Sequence, residues 1–209
     1  MADAREMTLG EFLEQLGSEA PAPGGGAVAA LAAAQAAALA AMVARITAAK
    51  RKQDSAGWQG IRDRAETLGR QLAALVDRDT QAFLGVMSAY RLPRDDSGRP
   101  EAIRSALRQA ALVPLEVARR SVEVMDLARV ALERGIASAR TDAGVALLMG
   151  RTALEGAALN VLVNLGGLGE GDFVSETTQE VNALRTKGRE LVALVDALFD
   201  DLQGELKGV

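Results

Sequence analysis

The sequence predicts an all-α protein, a single-domain bundle of long helices around an alanine-rich central helix. Hydrophobic residues make up 49% of the chain and aromatic residues only 3%, whereas sheets favour aromatic and β-branched side chains. No segment alternates between apolar and polar residues as a half-buried strand does. The 209 residues contain no internal repeat and are long enough for one substantial core, so we predict one domain over residues 1–209.

The first two helices are predicted from a cap and from a long alanine run. Thr8 and Glu11 have the spacing of a capping box, which starts a short helix that ends near Gly17. A segment rich in proline and glycine follows, and the central helix continues from it to about Ala49. Alanine has the highest helix propensity, so the local preference agrees with this assignment.

Two long helices are predicted in the middle of the chain. The first covers 58–90 and ends before RLPRDDSGRP, a stretch whose prolines and glycine are typical of a turn. The second begins at Pro100, since proline suits the first turn of a helix, and continues to Gly135. Pro114 lies inside it and removes one backbone hydrogen bond, so we expect the helix to kink or split there.

Two further helices complete the predicted bundle. One covers 141–165 and is followed by a glycine pair, which is a common helix end. Thr177 and Glu180 have the spacing of a second capping box. We therefore predict that the last helix, which is amphipathic, begins there and ends at about Leu206.

The stretch 27–44 has the length of a membrane-spanning helix and carries no charge. Its composition argues against a membrane span, because most of its side chains are alanine, which buries little area, and Gln35 lies in the middle. A buried helix whose small side chains let neighbouring helices approach closely accounts better for this composition. We predict a soluble protein with no membrane partner.

The composition also excludes several kinds of site. The chain has no cysteine and no histidine, which excludes disulfides, Cys/His zinc sites, thiolate nucleophiles and a Ser-His-Asp triad. We predict no metal site, and proton transfer by Asp, Glu, Lys or Tyr. The net charge of −4 and the pI of about 5.1 argue against nucleic acid as a partner. The N-terminus lacks the features of a signal peptide, so we expect a cytoplasmic protein.

One acidic residue lies on the apolar face of the third predicted helix. At about 100° per residue, Asp79 falls in the centre of an apolar stripe, and Asp77 points about 160° away, toward solvent. The stripe consists of Ile61, Ala65, Leu68, Leu72, Leu75, Phe83, Val86 and Tyr90. Burial raises the pKa of a carboxyl group, so Asp79 is a candidate general acid that keeps its proton near neutral pH. A salt bridge to Arg45 or Arg104, or a hydrogen bond between helices, is the structural alternative.

Pro23 and the triple glycine Gly24, Gly25 and Gly26 precede the central helix and are candidate binding residues. Their backbone N–H groups, together with the helix N-terminus, suit an anion. No Lys-Ser/Thr pair follows and no strand precedes them, which excludes a P-loop and a dinucleotide-binding turn. Two alternatives remain open: close passage of this backbone against another helix, and a flat ligand lying directly on the glycines.

The fifth predicted helix adds Asp142, Asn160 and Asn164 as candidate binding residues. All three fall on one face, although about five turns separate Asp142 from Asn160. The two asparagines, four residues apart, suit the amide-like edge of a heterocycle. Structural alternatives also exist, because Asp142 suits the first turn of its helix and Asn164 suits the end before the glycines.

Several stretches together resemble the cyclodeaminase/cyclohydrolase family of folate enzymes. They are APAPGGGAVAA, LVDRDTQAF, the LP of RLPRDDS, VPLEVA and TDAGVALLMGRTALEGAALNVLVNLGGL, and they cover nearly the whole chain. The family includes the C-terminal domain of formiminotransferase-cyclodeaminase and stand-alone methenyltetrahydrofolate cyclohydrolases. The resemblance implies an all-helical homodimer with a folate pocket near the subunit interface. It also implies that Asp79 is the proton donor and that no metal or organic cofactor is needed besides the folate substrate.

The resemblance leaves three functions to separate. We expect a methenyltetrahydrofolate cyclohydrolase rather than a formiminotetrahydrofolate cyclodeaminase, because the chain carries no formiminotransferase domain. A catalytically silent folate-binding or interaction module is the third alternative. Lys50 and Arg51 are expected to attract the glutamate tail of the substrate. The chain departs from the usual family pattern at Ala49, where glycine is common, and at Ile136, where asparagine is common.

Overall fold

Seven α-helices form the protein over residues 6–207, which are the residues described by the computed structural model. They are α1 (Leu9–Leu16), α2 (Gly25–Lys50), α3 (Ser55–Tyr90), α4 (Arg99–Arg134), α5 (Arg140–Gly166), α6 (Asp172–Val192) and α7 (Leu194–Lys207). Short 3-10 segments, Lys52–Asp54 and Ala137–Ala139, precede α3 and α5. No strand occurs in residues 6–207, so the all-α prediction is confirmed.

Helix α2 is the centre of the bundle and packs against α3, α4 and α5. Nearly all of its buried residues are small: Gly26, Ala27, Ala29, Ala30, Ala32, Ala33, Ala36, Ala37, Ala40, Ala41, Val43, Ala44 and Thr47. Neighbouring backbones therefore come very close. At Gly156 of α5, a methyl group added to the backbone would lie 3.3 Å from the Cβ of Ala29. This close packing confirms the predicted role of the alanine run.

Two helical segments have the length and hydropathy of a membrane span, Gly25–Lys50 and Ala137–Gly166. The core helix of a soluble bundle passes the same test of length and composition. In α2, 61% of the most apolar window is buried inside the protein, as expected of a core helix. The hydropathy of these segments is therefore weak evidence for a membrane span.

Helix α3 buries half of the predicted apolar stripe. Ala65, Leu68, Leu72 and Leu75 are all buried in the core. The end of the stripe behaves differently, because Phe83 is 40% exposed. The core therefore ends near Asp79, and the last turns of α3 face a cleft or solvent.

Helix α4 continues through Pro114, so of the predicted kink or split, the split does not occur. Pro114 is buried, and buried residues flank it on both sides, including Val113 and Leu115. The missing N–H costs one helical hydrogen bond, but packing of these flanking side chains holds both halves of the helix in the core.

The first capping box is confirmed and the second is wrong. Thr8 and Glu11 cap α1 reciprocally: the Glu11 N–H donates to Thr8 Oγ1 (3.2 Å), and the Thr8 N–H donates to Glu11 Oε2 (2.7 Å). Thr177 is instead buried inside α6, which already begins at Asp172 after Gly171. Gly171 has a φ of 158°, a conformation open to glycine, and this turn fixes the earlier start. The predicted last helix is also two helices, which meet at Ala193.

Candidate active site

A cleft of about 400 Å³ lies where the start of α2 meets the second half of α3, the first half of α4 and the end of α5. Its lining consists of Pro21, Ala22, Gly24, Gly25, Gly26, Asp79, Ala82, Phe83, Val86, Leu107, Ala110, Asn160, Val163 and Asn164. Within residues 6–207, Asp79 is the one ionisable side chain in this lining. The cleft is therefore an apolar chamber with one acid and two carboxamides.

The Asp79 carboxyl group is partly buried and accepts a hydrogen bond from the backbone N–H of Ala27. Burial raises the pKa of Asp79 from 3.8 to about 6, and the Ala27 hydrogen bond acts in the opposite direction but is weaker. Arg45 pairs with Glu66 (2.5 Å) and Arg104 with Glu101 (3.3 Å). The alternative of a salt bridge from Asp79 to either arginine is therefore wrong, whereas the alternative of a hydrogen bond between helices is confirmed by the Ala27 N–H of α2. A carboxyl group without a cation partner is able to hold a proton near neutral pH.

Gly26 lies directly beneath the Asp79 carboxyl group. A Cβ atom added at Gly26 would lie 2.5 Å from Asp79 Cγ and 2.7 Å from Oδ2, well inside van der Waals contact. The absence of a side chain at Gly26 therefore lets the carboxyl group reach the first turn of α2. The sequence left open that the glycine backbone passes close to another helix. This close passage is found at Gly26, which lies against Asp79 of α3.

The other residues of the glycine segment border the same cleft. Gly24 and Gly25 line it, and Gly24 is the N-cap of α2. Pro23 is buried next to them, and Ala22, rather than Pro23, reaches the cleft surface. The glycine backbone therefore forms one wall, on which a flat ligand is able to lie.

The structure brings Asn160 and Asn164 to the cleft as well. The Asn164 side-chain nitrogen donates to the backbone oxygens of Ala110 (3.0 Å) and Asn160 (2.8 Å). The Asn160 side-chain nitrogen donates to the backbone oxygen of Gly156 (2.8 Å). Both carboxamides are thus held in fixed orientations, and Asn164 also ties α5 to α4.

Three predicted binding residues do not lie near this cleft within one chain. Lys50 is at the far end of α2, about 37 Å from Gly25 along the helix axis. Arg51 donates to the backbone oxygens of Arg134 (2.7 Å) and Gly135 (3.1 Å), so it caps the end of α4. Asp142 is in the first turn of α5, about 27 Å from Asn160. Within one chain the structure does not bring these three residues to the cleft with Asp79, because the helices that carry Lys50 and Asp142 are too long and Arg51 is used at the end of α4.

The two departures from the family pattern lie at that same far end. Ala49 is in the last turn of α2. The Ile136 N–H donates to Thr47 Oγ1 (3.3 Å), which joins α2 to the turn after α4. Within one chain, neither departure changes the residues that line the cleft.

Asp77 is half-buried, rather than solvated as its position on the helical wheel predicted. It is not among the residues that line the cleft. The prediction that the two aspartates face different sides of α3 is therefore confirmed: Asp79 faces the cleft and Asp77 does not.

Sequence reasoning missed part of the cleft lining. Leu107 and Ala110 come from α4, and Val163 comes from the end of α5. They are ordinary apolar residues, and only the packing of three helices against the start of α2 identifies them. Phe83 and Val86 carried a usable signal, because they continue the stripe that contains Asp79.

Similarity to known proteins covers nearly the whole chain. The chain is 37% identical over 205 residues to the methenyltetrahydrofolate cyclohydrolase of Methylorubrum extorquens, covering 95% of this chain and 97% of that protein. It is 32% identical over 196 residues to the formimidoyltransferase-cyclodeaminase of Rattus norvegicus, covering 91% of this chain but 36% of that longer protein.

A solved structure shows the same fold. The formiminotetrahydrofolate cyclodeaminase of Thermotoga maritima matches with a TM-score of 0.87 and 26% identity, covering 95% of this chain and 98% of that chain. Residues 8–183 match the family model described as formiminotransferase-cyclodeaminase. Because this match and the similarity to the Methylorubrum protein both extend over most of the chain, the protein belongs to the formiminotransferase-cyclodeaminase family.

Proposed function

We propose that the protein is a folate one-carbon enzyme, a methenyltetrahydrofolate cyclohydrolase that converts 5,10-methenyltetrahydrofolate and water to 10-formyltetrahydrofolate. The observation that carries this proposal is Asp79, the one acid among the described residues lining an apolar cleft, with a pKa raised to about 6. Similarity over almost the full length of the Methylorubrum cyclohydrolase supports this choice of substrate. The proposal requires no metal and no organic cofactor besides the folate substrate.

The shape of the cleft suits a folate ring system. Its volume of about 400 Å³ is within the range of small-molecule sites. The glycine backbone on one side and Phe83 and Val86 on another border a narrow apolar space for a flat heterocycle. Asp79 faces this space, so a ring nitrogen of a bound ligand is able to receive its proton.

In the proposed hydrolysis, Asp79 supplies the proton that the ring-opening step needs. Water adds to the methenyl carbon of the cationic substrate and releases one proton to solvent, which gives a neutral carbinol between N5 and N10. The C–N5 bond then breaks while the Asp79 carboxyl group protonates N5. The O–H bond of the carbinol breaks as the formyl C=O forms, and its proton returns to the Asp79 carboxylate.

A formiminotetrahydrofolate cyclodeaminase is the second candidate, supported by the structural similarity to the Thermotoga enzyme. In this reaction N10 attacks the formimino carbon, the ring closes and ammonia leaves. The departing nitrogen again needs a proton, and the same Asp79 carboxyl group is placed to provide it.

Absorbance of 5,10-methenyltetrahydrofolate separates the candidates. A cyclohydrolase removes this chromophore when the methenyl compound is supplied, and a cyclodeaminase generates it from 5-formiminotetrahydrofolate. We expect the first signal to be the faster one. Binding of folate with neither signal would contradict both enzyme proposals and leave a folate-binding module.

The pH dependence of turnover tests the role of the acid. Because Asp79 acts in its protonated form and burial raises its pKa to about 6, we expect kcat/KM to fall about tenfold per pH unit above pH 6. The measurement is kcat/KM between pH 5 and 9, corrected for hydrolysis without enzyme. A rate that is constant up to pH 8 would contradict the assignment of Asp79 as the acid.

We also propose that the protein is a cytoplasmic homodimer formed through the exposed sides of α2 and α5. Val28, Gln35 and Met42 are exposed at seven-residue intervals along α2, which places them in one row. On α5, Leu159 is 69% exposed and Val163 is 72% exposed. Such a surface, apolar except for Gln35, is typical of a subunit interface. If two α2 helices pair in antiparallel orientation, Lys50 of the partner subunit comes near the glycine segment and supplies the cation that the cleft lacks.

Charge placed in this surface is expected to separate the subunits. Met42→Glu puts a carboxylate from each copy into the interface, where burial without a partner is costly. We expect the parent to sediment at twice its 21.8 kDa chain mass and Met42→Glu to sediment as a monomer. Leu206→Glu, at a more exposed apolar position on α7 (79% against 36% for Met42), is the control and should stay dimeric. A monomeric parent would contradict the proposal.

A further inference from the structure

The orientation of the Asn164 carboxamide is fixed by its neighbours. Its nitrogen lies between two backbone oxygens, those of Ala110 (3.0 Å) and Asn160 (2.8 Å), so both N–H bonds are used. Reversal of the carboxamide would bring its oxygen against two carbonyl oxygens, which repel it. The side-chain oxygen therefore lies on the other side of the group and remains an acceptor.

Asn160, one turn earlier on α5, has the same polarity. Its nitrogen donates to the Gly156 backbone oxygen (2.8 Å), and its side chain borders the cleft beside Gly25. Within residues 6–207, neither asparagine Oδ1 accepts a hydrogen bond. The cleft thus contains two carboxamide groups whose acceptors are unused, while Asn164 uses both of its N–H bonds and Asn160 uses one.

We propose that Asn160 and Asn164 accept hydrogen bonds from the ligand through their Oδ1 oxygens, so that the cleft selects a ring system with N–H donors on its edge. The choice of folate as that ligand rests on the proposed function. The aminopyrimidinone ring of a tetrahydropterin carries such donors in its 2-amino group and ring N–H groups. Asp79, which is protonated below about pH 6, is the complementary donor toward the reacting nitrogen.

This polarity makes a specific prediction about which ligands the cleft rejects. A ligand without the matching N–H group leaves an asparagine oxygen in the cleft unpaired, and an unpaired polar group costs more than a missing attraction. A ligand that instead presents a carbonyl or ring nitrogen at this place meets acceptor against acceptor. The preference of the cleft for one ligand over another should therefore depend on the ligand's N–H group and on the asparagine oxygens that accept its hydrogen bond.

The experiment compares two stable ligands by isothermal titration calorimetry. One is 5-formyltetrahydrofolate, and the other is the same compound with a methyl group in place of the 2-amino group. We expect the parent to bind the first about tenfold to 100-fold more tightly. In Asn160→Ala or Asn164→Ala, at least one variant should bind the two compounds within about threefold of each other.

The two alanine variants differ in how much they are expected to disturb the fold, so at least one of them should report on binding alone. Asn164→Ala also removes the tie between α4 and α5, so this variant tests stability as well as binding. Asn160→Ala removes a hydrogen bond within one helix and should fold like the parent. Asn182→Ala, an exposed asparagine of α6, is the control and should keep the discrimination of the parent.

The outcomes separate this inference from the proposed function, because turnover of 5,10-methenyltetrahydrofolate is measured on the same samples. Turnover together with unchanged discrimination in both alanine variants overturns the inference and leaves the proposed function standing. Loss of discrimination without any turnover supports the inference and contradicts the proposed function. If the parent binds neither compound, both are overturned.

Discussion

Asp79→Asn is expected to lower kcat by at least 100-fold while the protein keeps its fold. The asparagine has almost the shape of the carboxyl group but provides no acidic proton, and general acid catalysis typically contributes about 100-fold to 10,000-fold. KM should change much less than kcat, because the cleft lining is otherwise intact. Steady-state kinetics with 5,10-methenyltetrahydrofolate, together with circular dichroism, provides the measurement.

The same substitution is expected to stabilise the protein above pH 6. The folded-state pKa of Asp79 is raised from 3.8 to about 6, so the folded protein binds this proton more tightly than the unfolded chain does. Above pH 6 the buried charge destabilises the folded state, by about 1–2 kcal/mol once the openness of the cleft to solvent is allowed for. We expect a higher Tm for Asp79→Asn at pH 8, and the difference should vanish toward pH 4.

Asp77→Asn is the matched control, with the same chemical change two residues away on the same helix. Asp77 does not line the cleft, so its substitution should leave kcat and the pH profile within about twofold of the parent, the scatter ordinary for a change outside the site. Activity of Asp79→Asn equal to that of the parent would refute the catalytic assignment. An equal loss in both variants would point to a general disturbance of α3 instead.

Gly26→Ala is expected to lower kcat about 100-fold without removing any polar group. The added methyl group would lie 2.5 Å from Asp79 Cγ, so the carboxyl group has to leave the Ala27 N–H. A displacement of about 1 Å of a catalytic group typically costs this much in rate. The pH profile should also shift to lower pH, because a carboxyl group displaced toward solvent has a lower pKa than a buried one.

A control and a double substitution show whether the effect passes through Asp79. Gly60→Ala changes another helical glycine, but no atom lies within 4 Å of the added methyl group, so activity should be retained. In the Asp79→Ala background the clash is gone, since all three atoms nearest to the added methyl group belong to Asp79. Adding Gly26→Ala to Asp79→Ala should therefore not lower the free energy of unfolding further. If Gly26→Ala lowers the free energy of unfolding equally in the parent and in Asp79→Ala, the role assigned to Gly26 is contradicted.

The helical architecture and the acid were predictable because local periodicity determines them. A helix of 36 residues repeats its apolar stripe many times, so an aspartate at the centre of the stripe stands out without any knowledge of its neighbours. Asp79 was identified in this way. The resemblance to the family pointed to the same residue from a different kind of observation.

Contacts between helices were beyond the reach of the sequence. Gly26 and Asp79 are 53 positions apart, and only the packing of α2 against α3 brings them together. The hydrogen bond from Asn164 to Ala110 depends in the same way on α4 and α5. Thr177 shows the opposite error, because its spacing to Glu180 imitates a cap inside a helix that begins five residues earlier. Sequence patterns also do not state which end of a bundle holds the site, so they did not show that Lys50 lies at the opposite end of α2 from the cleft within one chain.

The contact between Asp79 and the first turn of α2 has a consequence for how the protein responds to mutation. The proton affinity of this carboxyl group depends on two helices staying docked, so any loosening between them hydrates the group and makes it a stronger acid. A substitution far from the cleft, such as one that wedges Gly69 away from Ala37, would then move the optimum pH without touching a ligand. The pKa of Asp79 therefore reports how tightly α2 and α3 are packed against each other.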